Sequence, residues 1–536
     1  MLSEHIEKQK ASERLLADEI EKRRDCESEK GRLSAEVQRL TRRVEEGERS
    51  TFSSVVKVLA DRWRSAEVAS PREARSLDDP VYGRISLDEK LSTIFAHPLV
   101  QRLNRVRQLS FSYAQFPSAT HTRLSHCLGT AKNAELALSG MLDRGVYYVE
   151  GEDAPRRFDR AILDRRNQIV QKAKLAALLH DLGHGPFGHA LDDYAAFGDI
   201  NSVQPMPDKI YTTQYIRKFL APTLRAVGFD PEEIATVLEL DQYKVVRGID
   251  HLIADVINSS LDVDRMDYLV RDANMTGLTM GFVNTMALID SMRPVMDDDA
   301  FILTYDEAAI RYMEHFLYAR DAMYLNCYEA ARKRAAERIF RRLIKELNED
   351  QSLGLDVGDL LVLTDEEVMT VLRGIGAGSE TRREVAEKLL RDVAYEAVHE
   401  VAFNSENATP DVRNWHDSLI KGRTGGIGYL HVAYVSKPEE WEKLIAAEAG
   451  TDVWNVQVIV PSYHHYPQKQ SATKILTKDD DDRFKTVDLF SKSEVIKEVL
   501  RHSNPLRNRV RVVCPDYLSR QERKRVKDAA MQLLGS

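Results

Sequence analysis

Cysteine is scarce in this chain: 536 residues carry four of them. Cys26, Cys127, Cys327 and Cys514 lie far apart with no C-x-x-C pair, which argues against a disulfide framework and a structural zinc site. An excess of positive charge is also lacking. Lysine and arginine number 76 against 85 acidic residues, a net charge of −9, so no bulk attraction draws the chain to nucleic acid or an anionic membrane. A nucleic-acid partner would need a local basic site. No uninterrupted apolar run is long enough to cross a bilayer, and the opening Met1-Leu2-Ser3-Glu4-His5-Ile6-Glu7-Lys8 has no apolar signal core. The expectation is a soluble, cytoplasmic protein, long enough for more than one domain.

The texture changes along the chain. Residues 1–50 are charged and carry Leu33, Val37, Leu40 and Val44 at four- and three-residue steps, with a second stripe at Leu16 and Ile20. This predicts a coiled-coil-like helix for oligomerisation or partner binding, imperfect because Gly31 interrupts it. A solvated single helix is the alternative. Residues 51–84, with Pro71, Pro80 and Gly83, read as a linker. Residues 85–345 show dominantly helical spacing, and 346–425 read as a helical extension. Residues 426–536 mix β-rich runs (429–435, 456–460, 510–513) with helical stretches (438–447, 519–534), which predicts a C-terminal α+β region. The acidic run 479–482 reads as a solvated turn.

The richest segment is Leu178-Leu179-His180-Asp181-Leu182-Gly183-His184-Gly185-Pro186-Phe187-Gly188-His189. An apolar helix runs into a His-Asp pair, and the glycines and proline stop it there. Imidazole nitrogen and carboxylate oxygen hold a catalytic divalent metal while leaving positions open. Adjacent helical side chains point about 100° apart, so His180 and Asp181 converge on one ion only near a helix end. Upstream stands Thr120-His121-Thr122-Arg123-Leu124-Ser125-His126, downstream Ser260-Leu261-Asp262-Val263-Asp264-Arg265-Met266-Asp267-Tyr268-Leu269-Val270-Arg271-Asp272. His126, His180, Asp181 and Asp264 are thus the candidate metal ligands, in the order H…HD…D. Two imidazoles and two carboxylates suit Mn²⁺, Fe²⁺, Ni²⁺, Co²⁺ or Zn²⁺, with Mg²⁺ the less natural choice. Arg123 stands three residues before His126, on the same helical face, placed to hold a phosphate oxygen.

The three ordered motifs resemble the HD-domain metal-dependent phosphohydrolases. Their neighbours resemble the deoxynucleoside triphosphate triphosphohydrolase (dGTPase-like) branch, over roughly residues 80–345. The resemblance implies a mainly α fold: an all-helical HD-domain core, here flanked by the coiled-coil-like helix and the α+β region. It implies catalytic roles beside the metal for His184, Asp192 and Arg123. It implies substrate contacts from Gln108 on the sugar side, Arg265 and Arg320 at phosphates, Tyr268 and Tyr328 against the sugar, and Asp272 at the 3′-hydroxyl. His189 reads as structural. The chain departs from the family pattern twice. Pro207-Asp208-Lys209-Ile210-Tyr211-Thr212-Thr213 stands where the family commonly has His-Glu, and Ala331 stands at its phosphate-binding lysine, with Arg332 and Lys333 close by.

Three functions follow. The leading one is a metal-dependent hydrolase of deoxynucleoside triphosphates that releases deoxynucleoside and triphosphate, acting as a homo-oligomer joined through residues 1–50. The second is an HD phosphodiesterase or nuclease on oligonucleotides or on cyclic or modified nucleotides, consistent with the departures. The third is a nucleotide-sensing scaffold.

Overall fold

The computed structural model describes residues 50–64, 67–191, 207–239, 246–349, 357–375, 380–390, 395–402, 438–459, 473–498 and 509–535. Residues 1–49 with the expected coiled coil, Asp192, and the expected strand at 429–435 lie outside the described residues.

The segment expected as a linker, 51–84, is structured instead. Helix α1 (Ser50–Trp63) buries Val55, Val56, Leu59, Ala60 and Trp63, whose spacing forms one apolar stripe. Strands β1 (Arg75–Asp79) and β2 (Gly83–Leu87) then pair antiparallel, with Asp79 opposite Gly83. Pro80 and Gly83 belong to the hairpin's turn rather than to a loose connection, and Gly83 takes a positive φ of 68°.

Helix α2 (Arg123–Arg144) starts at Thr122, whose Oγ1 accepts from the Ser125 N–H, and stops at Gly145 in the left-handed region. Strands β3 (Val146–Val149) and β4 (Arg156–Arg157) follow, then helix α3 (Arg166–Leu179), which packs against α2. Every residue of 173–179 is buried, so the His-Asp pair is delivered from a helix sunk in the core. Helices α4 (Pro207–Tyr215), α5 (Gly248–Asn258) and α6 (Val263–Thr276) close round this pair. Asp262 caps α6 by accepting from the Arg265 N–H, and Gly277 ends it.

Strands β5 (Met292–Asp297) and β6 (Ala300–Asp306) form a hairpin, and helices α7 (Ile310–Met323) and α8 (Ala331–Glu349) complete the central body. The expected all-helical core is therefore corrected: helices surround the site, but β3 to β6 form a sheet on its flank. The expected helical extension contains a short helix (Val357–Leu361), helix α9 (Asp365–Ile375) and a further helix of equal length (Glu380–Leu390), then turns into strand β7 (Tyr395–Ala402). Pairing with a distant strand, not local period, makes β7 a strand.

Helix α10 (Pro438–Ala449), strands β8 (Gln457–Ile459), β9 (Lys474–Lys478), β10 (Phe484–Asp488) and β11 (Arg509–Pro515), and helix α11 (Arg520–Leu534) complete the described chain. The expected α+β texture is present. The acidic run forms the tight connection of the β9–β10 hairpin, where the Asp479 carboxylate accepts from the N–H groups of Asp481 and Arg483. The six-stranded sheet runs β10-β9-β6-β5-β3-β4, with β6 and β9 parallel, so the C-terminal hairpin extends the central sheet. A second sheet, β7-β11-β8, has its own apolar core with α10 and α11, built on Val401, Ile445, Val458, Val512 and Val526. The overall class is mainly α. Among the described residues no helix is long and apolar enough to cross a membrane.

Candidate metal centre

Three helices bring the candidate ligands to one point. His126 lies one turn into α2, His180 caps the C-terminal end of α3, and Asp264 sits in the first turn of α6. His126 Nε2 is 3.0 Å from Asp264 Oδ1, and His180 Nε2 is 3.5 Å from the same oxygen. Asp181 presents Oδ1 at 3.3 Å from His180 Nε2 and Oδ2 at 3.7 Å from His126 Nε2. Two ligand atoms each about 2.1 Å from one ion stand about 3.0 to 3.6 Å apart.

The hydrogen bonds behind these atoms select their protonation. His126 Nδ1 meets Asp267 Oδ2 at 2.7 Å, and His180 Nδ1 donates to the Ala177 carbonyl at 2.8 Å. Each ring thereby turns Nε2 toward the cluster, as outer partners do for metal-binding imidazoles. Among the described residues His180 Nε2 is buried and makes no hydrogen bond, facing the carboxylates of Asp181 and Asp264, which suits a metal ligand. The donor set fits a divalent metal.

The charge balance agrees. Burial lowers the basicity of His126, but hydrogen bonds to Asp264 and Asp267 override it and raise the pKa to about 10. His180 is likewise raised against burial, by Asp181 and Asp264, while Asp181 and Asp264 are held well below the usual carboxylate range despite burial. A cluster that draws protons onto its imidazoles is short of positive charge.

Arg123 donates Nη1 to Asp181 Oδ2 at 2.7 Å and is almost fully buried. It orients the aspartate in this arrangement. His184 Nε2 lies 3.2 Å from Asp181 Oδ1 and 3.5 Å from Asp208 Oδ2. Burial and Arg123 lower its pKa, which favours the neutral imidazole. Two glycines permit these approaches. A Cβ on Gly183 would strike the backbone of Asp208 and Thr212 in α4, and one on Gly129 would strike Asp267 in α6.

Several of the expected substrate residues contact one another, and the Tyr268 ring lies 6.4 Å from that of His126. Tyr328 donates its hydroxyl to Asp272 Oδ2 at 2.8 Å, and Arg320 Nε donates to the Tyr268 hydroxyl at 3.3 Å. The Tyr268 and Tyr328 rings meet edge-on at 6.0 Å. Arg265 is tied to Asp262 and to the Ser259 carbonyl. Gln108 holds the His121 carbonyl through its backbone N–H, and its side-chain Oε1 is buried without a hydrogen bond among the described residues. His189 stacks edge-on against His184 at 4.6 Å. Ala331 opens α8, and Lys333 pairs with Glu337 at 2.8 Å.

Several contributors are missing from the sequence reading. Asp267 orients His126, His121 Nε2 holds Asp272 Oδ1 at 2.8 Å, and Asp208 supplies a carboxylate beside His184. The Asp264-x-x-Asp267 spacing places both on one helical face and could have flagged Asp267. Behind the site, buried Arg102 donates to the carbonyls of Leu182, His184, Leu361 and Leu363. Asp365 accepts from the N–H groups of Phe187 at 2.6 Å and Arg107 at 2.9 Å.

Residues 123–271, which span α2 to α6 and all four candidate ligands, match the HD domain family model. This segment of the chain is an HD domain. A Mycoplasma genitalium protein named only as uncharacterized is 29% identical over 282 residues, 51% of this chain and 61% of that one. Human SAMHD1, named a deoxynucleoside triphosphate triphosphohydrolase, is 29% identical over 227 residues, 38% of this chain and 34% of that protein. A solved phosphohydrolase from Bacteroides thetaiotaomicron superposes with a TM-score of 0.58 over 83% of this chain and 100% of that one, at 20% identity, a likeness of fold. The matches of this HD-domain chain to its curated relatives thus extend over less than two thirds of those proteins' length.

Proposed function

We propose that this HD-domain protein is a metal-dependent phosphohydrolase that cleaves deoxynucleoside triphosphates to deoxynucleoside and triphosphate. The observation that carries the reading is the convergence of His126, His180 and Asp264, with Asp181 beside them. The similarity to SAMHD1 supports the nucleotide class.

A divalent ion held by His126, His180, Asp181 and Asp264 would supply charge neutralisation at phosphorus and make water a better nucleophile at neutral pH. The chain's own groups do the rest. Arg123 holds Asp181 in place and offers its remaining guanidinium nitrogens to a phosphate oxygen. Arg265 and Arg320 add fixed positive charge where the phosphate chain would lie. His184, neutral at physiological pH, exchanges a proton at the reacting phosphate, and Asp208 and Asp181 keep its ring oriented. Tyr268, Tyr328 and Asp272 form the wall for the sugar.

Product analysis by anion-exchange chromatography tests this. The full chain is incubated with each dNTP and NTP plus Mn²⁺, Co²⁺ or Mg²⁺, singly and in mixtures. Deoxynucleoside and triphosphate are expected, absent with the His180→Ala/Asp181→Ala variant. Intact nucleotides in every condition would refute the reading. The commitment of Lys333 to Glu337 favours a second reading, hydrolysis of a phosphodiester, and turnover of oligonucleotides or cyclic nucleotides would select it. Metal-dependent turnover of any of these substrates, lost in the variant, would remove the scaffold reading.

A further inference from the structure

Lys209 lies in the first turn of α4, next to Asp208. Its ammonium donates to the side-chain amide oxygen of Asn258, the last residue of α5. Asp208, Arg265, Asp262 and Asp264 are its electrostatic neighbours, and burial pushes its pKa down. The side chain is half-buried, so it borders open space. Three cations of this region are bound to carboxylates, Arg123 to Asp181, Arg265 to Asp262, and Lys333 to Glu337. Lys209 instead meets a neutral amide. The Asn258 amide takes one of the three N–H donors of the ammonium, and an anionic oxygen can take another.

The placement of α4 makes this deliberate. Gly183 has no side chain, so the first turn of α4 packs directly on the His-Asp loop, with the Gly183 N–H donating to Thr212 Oγ1 at 2.8 Å. That contact sets Asp208 beside His184, with Lys209 the next residue and Asp264 and Arg265 among its charged neighbours. We infer that Lys209 is a substrate-binding residue that takes an oxygen of the polyphosphate chain, the charge that Ala331 does not supply. The inference rests on the phosphohydrolase reading of the metal site, but not on the identity of base or sugar.

The probe is inorganic tripolyphosphate, titrated calorimetrically into the full chain with excess Mn²⁺ so that the anion binds as its manganese complex. Wild type, Lys209→Met and Lys209→Arg are compared, with a thermal melt and a Mn²⁺ titration for each to register folding and metal binding. Loss of one charge-assisted contact predicts tripolyphosphate affinity about tenfold or more weaker in Lys209→Met, largely restored in Lys209→Arg, with Mn²⁺ binding unchanged. Lys209→Gln, which keeps a hydrogen bond to Asn258, replaces the methionine variant if that one unfolds. Equal affinity in wild type and the uncharged variants overturns the inference, and so does a wild type that binds no tripolyphosphate. Weakened binding in the variants, together with a wild type inert to every dNTP, upholds Lys209 and sinks the dNTP reading instead.

Discussion

Single atoms decide much of this site. Gly188 has a φ of +57° and lies against the Arg123 guanidinium, so an added Cβ would collide with it. Gly188→Ala is expected to cost about 1–2 kcal/mol in backbone strain and to push Arg123 off Asp181. Turnover should fall by more than the loss of stability explains, as steady-state kinetics beside a thermal melt would reveal. Unchanged kcat would mean that Arg123 has no part in the reaction. Glu337 provides a pH test away from the metal. Burial works to raise its pKa, but Lys333 and Arg334 override this and bring it from 4.5 to about 2. A depressed carboxylate contributes stability above its unfolded value and loses it as the pH falls toward the folded one. Glu337→Gln should therefore destabilise by about 3 kcal/mol at neutral pH, and its deficit relative to wild type should shrink between pH 4.5 and about 2. Denaturant melts across that range measure it, and a constant deficit would contradict the assignment.

Among the elements, the segment that opens α9 does more than extend the fold. Asp365 fixes the N–H groups of Phe187, itself at a φ of +55°, and Arg107, so one carboxylate joins the His-Asp loop to the strand-like stretch before Gln108. Phe187 stacks on Phe111 at 4.1 Å, and α1 joins the same assembly through the Trp63 indole, which donates to Glu367. Asp365→Ala would leave two backbone donors unmet, at a cost of about 2–5 kcal/mol. Amide exchange over 182–188 should accelerate and kcat should fall, with metal affinity retained. Accelerated exchange with full kcat would reduce Asp365 to a fold-supporting role. The helical periods of α2, α3 and α6 were readable because each has one apolar face and a clear cap. α1 and the first hairpin were misread because proline and glycine mark a turn inside a structured unit as readily as a linker. Strand β7 carried too little alternation to stand out.

For the whole molecule, the C-terminal region is built into the central body. Strand β9 pairs with β6 from Thr304 opposite Lys474, and the buried Glu442 of α10 accepts from Arg338 of α8. Deleting residues 438–536 would expose the edge of β6 and strand Arg338, so the truncated chain should melt well below the full one or aggregate. A truncated protein with the parent melting temperature would show that the two parts fold independently.

The ligand order, the end of α3 at the His-Asp pair and the mainly helical class were determined by local sequence. Helix periods, stop signals and donor chemistry act over a few residues and need no partner. Which carboxylate stands behind His126, that Asp208 reaches His184, that Lys209 meets Asn258 and that β9 completes the central sheet were decided by tertiary structure. Each depends on two segments far apart in sequence meeting within a few ångströms, and glycines such as Gly129 and Gly183 permit those meetings only once the helices have packed.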